Sequence, residues 1–271
     1  MKRTILAGVL ALISGMTYLT AQKQPTPKSQ KEVDAINAMI KATAPDDRIK
    51  TANELMTKFA DTEFMGIAMQ MTAEAYEMKN DFEKMQVWCE KTIEIDPKNF
   101  SCMLMIAGGT AKRARETDLD LNEKLARVDK YAKQALEVLK DAPKPNPGIP
   151  DDQWVAAKKD YASQAHEAFA LSAVVRKKFD VAISEFKEAV DGAATPDPAT
   201  MVRFAQCYNQ AHKPDDAIVL LDKVMALPNL HPQIRQFAQA ERVRAIQMKG
   251  AATPATPAAP AAPPAAPDTK K

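Results

Sequence analysis

Alternation of apolar and polar residues, the mark of a half-buried strand, is missing from this chain over any strand-like length. Glycine is scarce, with 8 in 271 residues. The central region holds only Gly66, Gly108, Gly109, Gly148 and Gly192. An excess of charge of either sign is also missing. There are 37 basic and 35 acidic residues, and setting aside Lys2 and Arg3 leaves 35 against 35. A nucleic-acid binder shows a basic excess or stripe, whereas here both signs are interleaved along the chain like a solvated helix face. Histidine is limited to His166, His212 and His231, each isolated in sequence. No set of ligands at metal-binding spacing, no glycine-rich phosphate loop and no nucleophile-elbow motif appears. The expectation is therefore no catalytic residues, no metal and no cofactor. The three cysteines, Cys89, Cys102 and Cys207, fit small buried hydrophobes on helices. In an oxidising compartment a Cys89–Cys102 bridge is the alternative.

A long apolar run occurs only at the start. Lys2 and Arg3 precede Ile5 to Leu19, and polar chain follows from Gln22. That order describes a secretory signal peptide ending at Ala21. The run is shorter than the roughly 20 residues of a membrane span and is broken by Ser14, Gly15 and Thr17. No cysteine stands at the cleavage position, which argues against a lipid anchor. The expected location is periplasmic or otherwise extracytoplasmic, and the rival reading is an uncleaved anchor. At the other end, Gly250 to Pro267 is nearly all Ala, Pro and Thr, a composition with little to bury.

Between these ends the helical period is clear. Phe82, Met85, Cys89 and Ile93 form one apolar stripe; Ala182, Phe186, Ala189 and Val190 form another; Ala217, Leu220, Leu221 and Val224 form a third. Prolines punctuate instead of interrupting, at Pro45, Pro97, Pro143 to Pro150, Pro196, Pro198, Pro214, Pro228 and Pro232. Start signals stand at Asp61 or Thr62, at Asn99, and at Pro214-Asp215-Asp216.

The helices come in pairs, and the pairs resemble the tetratricopeptide-repeat (TPR) family, whose period is 34 residues. Ala73 and Tyr76 match its first-helix pattern, and Pro97 follows Tyr76 by 21 residues, at the family spacing. Phe204, Ala205 and Tyr208 repeat that pattern, with Ala217 nine residues further on. Ala182, Phe186 and Ala189 match the second-helix pattern, and Ala107 takes a small first-helix position. The resemblance implies an all-α, TPR-like α-solenoid of stacked antiparallel helix pairs with a C-terminal capping helix. The expected division is a signal peptide over 1–21, a linker over 22–30, helix pairs over 31–142, a proline-rich connection over 143–150, further pairs and the cap over 151–249, and a tail over 250–271. The second repeat needs about nine extra residues between its helices, near Arg113 to Asn122, so the middle is expected to be less regular and able to hinge.

The family resemblance also implies a binding groove formed by first helices. Some members grip a peptide carboxylate with Lys and Asn, but the matching positions here, Gln70 and Glu74, Leu104 and Gly108, Glu167 and Leu171, Val202 and Gln206, hold no such pair. The expected lining is polar at Gln70, Glu74, Glu77, Gln206, Asn209 and Gln210, and apolar at Ile67, Leu104 and Val202. It suits an extended or helical peptide. Methionine is dense at Met56, Met65, Met69, Met71, Met78, Met85, Met103 and Met105, which reads as core filling or as an adaptable surface. The leading function is a non-catalytic scaffold binding another protein or peptide, with no nucleic-acid partner and with membrane contact only if the N-terminal run is retained. The alternatives are a membrane-tethered recruiter and a carrier of an apolar ligand or copper.

Overall fold

Helix-start chemistry marks where several elements begin. In the computed structural model, which describes residues 25–146 and 148–252, Ser29 accepts a hydrogen bond from the Glu32 amide and opens α1 (Gln30–Lys41). Pro45 takes the first position of α2 (Pro45–Lys58). α3 is Met65–Met78. Asp81 caps α4 (Phe82–Ile95), and Asn99 caps α5 (Phe100–Arg113). α6 (Leu121–Asp141), α7 (Asp151–Val175) and α8 (Phe179–Asp191) follow. Asp197 and Pro198 open α9 (Pro198–Gln210), and Pro214 opens α10 (Pro214–Met225). α11 runs from Pro232 to Ala252. Each side-chain cap satisfies an orphan amide and stabilises by about 1 kcal/mol.

These eleven helices, with no strand, make up the regular structure of the described residues. No helix among them is long and apolar enough to cross a membrane. The proposed leader over 1–21 and all of the Ala-Pro tail beyond Ala252 lie outside the described residues. α11 passes the expected end at Lys249 and takes in Gly250, Ala251 and Ala252. Alanine is the strongest helix former, which accounts for the extension.

One start signal works differently from expectation. Asp61 and Thr62 do not cap α3, whose N-cap is Phe64 with no side-chain cap bond. Instead the Thr62 hydroxyl donates to Glu32 Oε1 at 2.6 Å and accepts the Phe64 amide at 3.1 Å. It ties the loop before α3 back to α1.

Consecutive helices pack in pairs, α1 with α2, α3 with α4, α5 with α6, α7 with α8, and α9 with α10. Each pair also packs on the next, and α11 lies against both α9 and α10. Three of the four tight turns inside regular pairs share one device. Asn80, Lys177 and His212 adopt φ near +56°, as residues just past α3, α7 and α9. Behind each, an amide bonds back across the turn: Asp81 to Tyr76, Lys178 to Ala173 and Lys213 to Tyr208, each at 2.9 Å. This is the Schellman closure, which satisfies carbonyls at the helix end.

The apolar core is a series of overlapping clusters. Ile36, Met39, Leu55 and Phe64 close the first pairs. Ala73, Met85, Cys89 and Ile106 join α3, α4 and α5. Leu171 touches both the middle cluster and the C-terminal one. Small residues sit where helices approach most closely: Ala73, Ala107, Ala170, Ala182, Ala205 and Ala217 are each 0% exposed. Phe186 and Ala189 are buried beside them; Tyr76 and Tyr208 pack at the edge, and Pro97 sits on an exposed turn. Phe204 stacks on Phe186 with centroids 5.4 Å apart and on Tyr208 at 4.4 Å.

The irregular middle is bridged by packing. The α5–α6 loop is closed by Lys124, which bonds Asp118 at 2.8 Å and Asp120 at 2.9 Å. Across the proline-rich connection, Trp154 Nε1 donates to the Ala142 carbonyl at 3.2 Å. Tyr161 packs edge-on to Phe100 at 5.0 Å, and α7 touches both α5 and α6. These contacts brace the segment expected to hinge.

Phe186→Ala removes a fully buried ring, and we expect a loss of about 3–5 kcal/mol in urea unfolding. Phe237→Ala, at a ring 57% exposed on α11, should change stability by less than about 0.5 kcal/mol.

Candidate functional site

The first helices of successive pairs face a common concavity. α3, α5, α7 and α9 contribute to a groove of about 680 Å³. Its floor is α5, with Leu104, Met105, Gly108 and Gly109. A Cβ added at Gly108 would meet nothing within 4 Å, so this glycine leaves space in the groove. A Cβ at Gly109 would lie 2.5 Å from the Phe82 ring, so that glycine is what lets α4 and α5 close together. Glu74, Glu77, Asn80 and Phe82 form one wall; Asp160, Tyr161, Ser163, Gln164 and Glu167 of α7, with Thr195, Asp197 and Thr200, form the other.

The electrostatics of the groove turn on one buried carboxylate. Glu167 has a side chain only 8% exposed, and burying a charge is costly unless it is paired. It accepts from Arg203 Nη1 at 2.6 Å and from the Thr200 hydroxyl at 2.9 Å, and Lys112 Nζ lies 3.4 Å away. These bonds join α5, α7 and α9 across the concavity. Arg113 is pinned elsewhere: it lies over the Phe82 ring at 4.5 Å and donates to Asn80 at 2.9 Å. The lining thus holds five carboxylates, at Glu74, Glu77, Asp160, Glu167 and Asp197, against the two cations Lys112 and Arg113. With Glu167 held by Arg203 and Lys112, the open part of the groove is acidic. Crowding by protein atoms raises the Glu77 carboxyl above its ordinary value, and the nearby Lys112 opposes that shift.

The expected groove residues do not all meet in one place. Glu74, Glu77 and Leu104 line the concavity. Gln70 lies beside it, donating to Glu74 at 2.9 Å and accepting from Asn99 at 2.8 Å. Ile67 is exposed on α3 outside the lining, and Val202 is buried in the C-terminal core. The polar residues of α9 need correction. Asn209 is 1% exposed and donates to the Glu241 carbonyl at 3.1 Å and to its Oε2 at 3.0 Å. Gln206 donates to Glu241 Oε1 at 3.1 Å. The physical reason is α11, which occupies the place of the next first helix and covers this part of α9. Gln210 lines a smaller cleft of about 470 Å³ with Arg244 and Met248.

Sequence reasoning missed Lys112, Arg113, Asp160, Tyr161 and Thr200. Lys112 could have been found, because it lies one turn beyond Gly108, a position already assigned to the groove. The methionines are mixed: Met85 and Met103 are core, Met78 is 59% exposed, and Met105 is half-buried on the groove floor. His166 Nδ1 lies 2.8 Å from Glu185 on α8, outside the groove. All three cysteines are free and buried. Among the described residues no group of three or more His, Cys, Asp or Glu is arranged to hold a metal.

No family model matches the chain, and no curated protein matches it. Solved structures do. A thermophilic TPR protein of Thermus thermophilus, TTC0263, is 16% identical, with 78% of this chain and 99% of that chain covered and a TM-score of 0.49. The assembly chaperone of RpL4 (Acl4, residues 1–338) is 10% identical, with 82% and 98% covered and a TM-score of 0.43. The all-α solenoid described here rests on the chain's own helix packing.

Asn209→Ala should cost about 1–3 kcal/mol through the lost bonds to Glu241. The amide protons of α11 should then exchange faster in hydrogen–deuterium exchange, while Gln210→Ala leaves them unchanged.

Proposed function

We propose that this protein is an exported, non-catalytic scaffold that holds a segment of another protein in the concave groove over α3, α5, α7 and α9. The observation that carries this reading is the groove itself. Four helices from four successive pairs line one continuous concavity with mixed apolar and polar groups. Such a lining suits an extended or helical segment held by a few apolar anchors and by hydrogen bonds. Glu77, exposed at the groove wall, favours a segment carrying Lys or Arg. The proposed location, the cell envelope, is supported by Lys2 and Arg3, the apolar run to Leu19 and the small residue Ala21. On this reading the native protein begins at Gln22. Intact mass of the protein isolated from its own cells checks that, and a mass that retains residues 1–21 would favour the tethered form instead.

Gly108→Trp tests the groove directly, since the indole enters open space and fills the floor. In affinity capture after crosslinking in intact cells, the wild-type chain should bring down a discrete partner. Gly108→Trp should lose it while keeping its helical circular dichroism. Val155→Glu, in a separate cleft between α6 and α7, should keep the partner. A partner retained by Gly108→Trp would remove the groove as the working surface.

A further inference from the structure

Behind the groove floor, two helices bring four sulfur atoms together. α4 carries Met85 and Cys89, four residues apart, and α5 carries Cys102 and Met105, three apart. Both spacings put the two side chains on one helix face. The faces meet in a single apolar cluster. Cys89 Sγ donates toward Met85 Sδ at 3.7 Å and toward Met105 Sδ at 3.9 Å. Cys102 lies in the same buried cluster, on the facing helix. Met85, Cys89 and Cys102 are 2%, 0% and 0% exposed, so the cluster is shielded from bulk water. Met105 is half-buried and also lines the groove, which gives the cluster a route to solvent.

We propose that this cluster is a binding site for copper(I), with the Cys89 thiolate and the Met85 and Met105 thioethers as ligands and the buried Cys102 thiol in the same cluster.

The geometry supports a small soft ion. Sulfur ligands about 2.3 Å from a tetrahedral or trigonal ion lie roughly 3.8–4.0 Å from one another. The two separations from Cys89 fall at or just below that range. The single S–H of Cys89 lies between the two thioether sulfurs, so the ion takes the place of that proton. One copper(I) enters, one S–H bond breaks, three metal–sulfur bonds form and one proton leaves, with no change of oxidation state. The product is neutral overall, which a buried site requires. Donor chemistry selects the metal: two of the three ligands are thioethers, which suit copper(I), whereas zinc is held by thiolate, imidazole and carboxylate. The site goes beyond the scaffold reading and does not depend on it.

The test is anaerobic titration of the reduced, full-length mature chain with copper(I) in competition with bicinchoninate. The wild type should retain one equivalent, and X-ray absorption should show a sulfur-only shell. Cys89→Ser and Met105→Leu should each weaken binding by on the order of 10–100-fold or more, since even outer-shell partners cost that much. Cys207→Ser should bind like wild type. If Cys89→Ser fails to fold, Met105→Leu decides, being a volume-conserving change at a half-buried position. Copper left wholly to the chelator, wild-type affinity in Met105→Leu, a nitrogen or oxygen shell, or a native Cys89–Cys102 disulfide found by thiol counting would each overturn the proposal.

Discussion

No helix pair in this chain can close its own apolar face; each is completed by the pair that follows. Everything else depends on that constraint. It requires close approach, which is why alanine occupies the crossing points at positions 73, 107, 170, 205 and 217 and why Gly109 meets the Phe82 ring with no room for a methyl group. It produces a core made of successive clusters, which from α3 onward share residues with a neighbour. It also demands an ending. A last pair without a successor would expose its face, and α11 supplies the missing helix. The Asn209 and Gln206 bonds to Glu241 lock that final helix in place.

The groove is the by-product of the same stacking. First helices that pack side by side leave a common inner surface, and its polar groups need partners. Glu167 shows how this is managed. A carboxylate buried to that degree is stable only because α5 and α9 send Lys112, Arg203 and Thr200 to it. The charge therefore ties three pairs together, while Glu74 faces Arg48 at 4.0 Å and Glu77 is exposed. The acidic character of the groove belongs to those positions and not to the chain as a whole, whose charges nearly cancel.

Much of this was legible in the sequence. Apolar stripes such as Ala182, Phe186, Ala189 and Val190 give the helices and their inward faces, and Asn99 and Pro214 mark true starts. What stayed hidden is non-local. The left-handed turn residues are Asn80, Lys177, His212 and Asn229, and none is the glycine that would announce such a turn. Asn209 reads as a polar surface residue until α11 is placed over it. Thr62 reads as a cap, yet its hydroxyl serves Glu32 thirty residues earlier. Arg203 carries no hint in its neighbours that it answers Glu167. For Asn209, Thr62 and Arg203 the partner lies about one repeat away, further than any local pattern reaches.

The polar ties between pairs share that separation. Lys79 meets Asp46, Arg113 meets Asn80 and Lys249 meets Asp215, at 33, 33 and 34 residues along the chain. Exposed contacts of this kind are individually weak. Arranged in series, each sets the angle between one pair and the next, so a small rotation at every step would sum along the stack. A segment seated in the concavity would press on four helices at once, so its affinity would include the elastic work of opening or tightening the superhelix. Stretching the molecule by its ends would then alter the groove without touching a single residue that lines it.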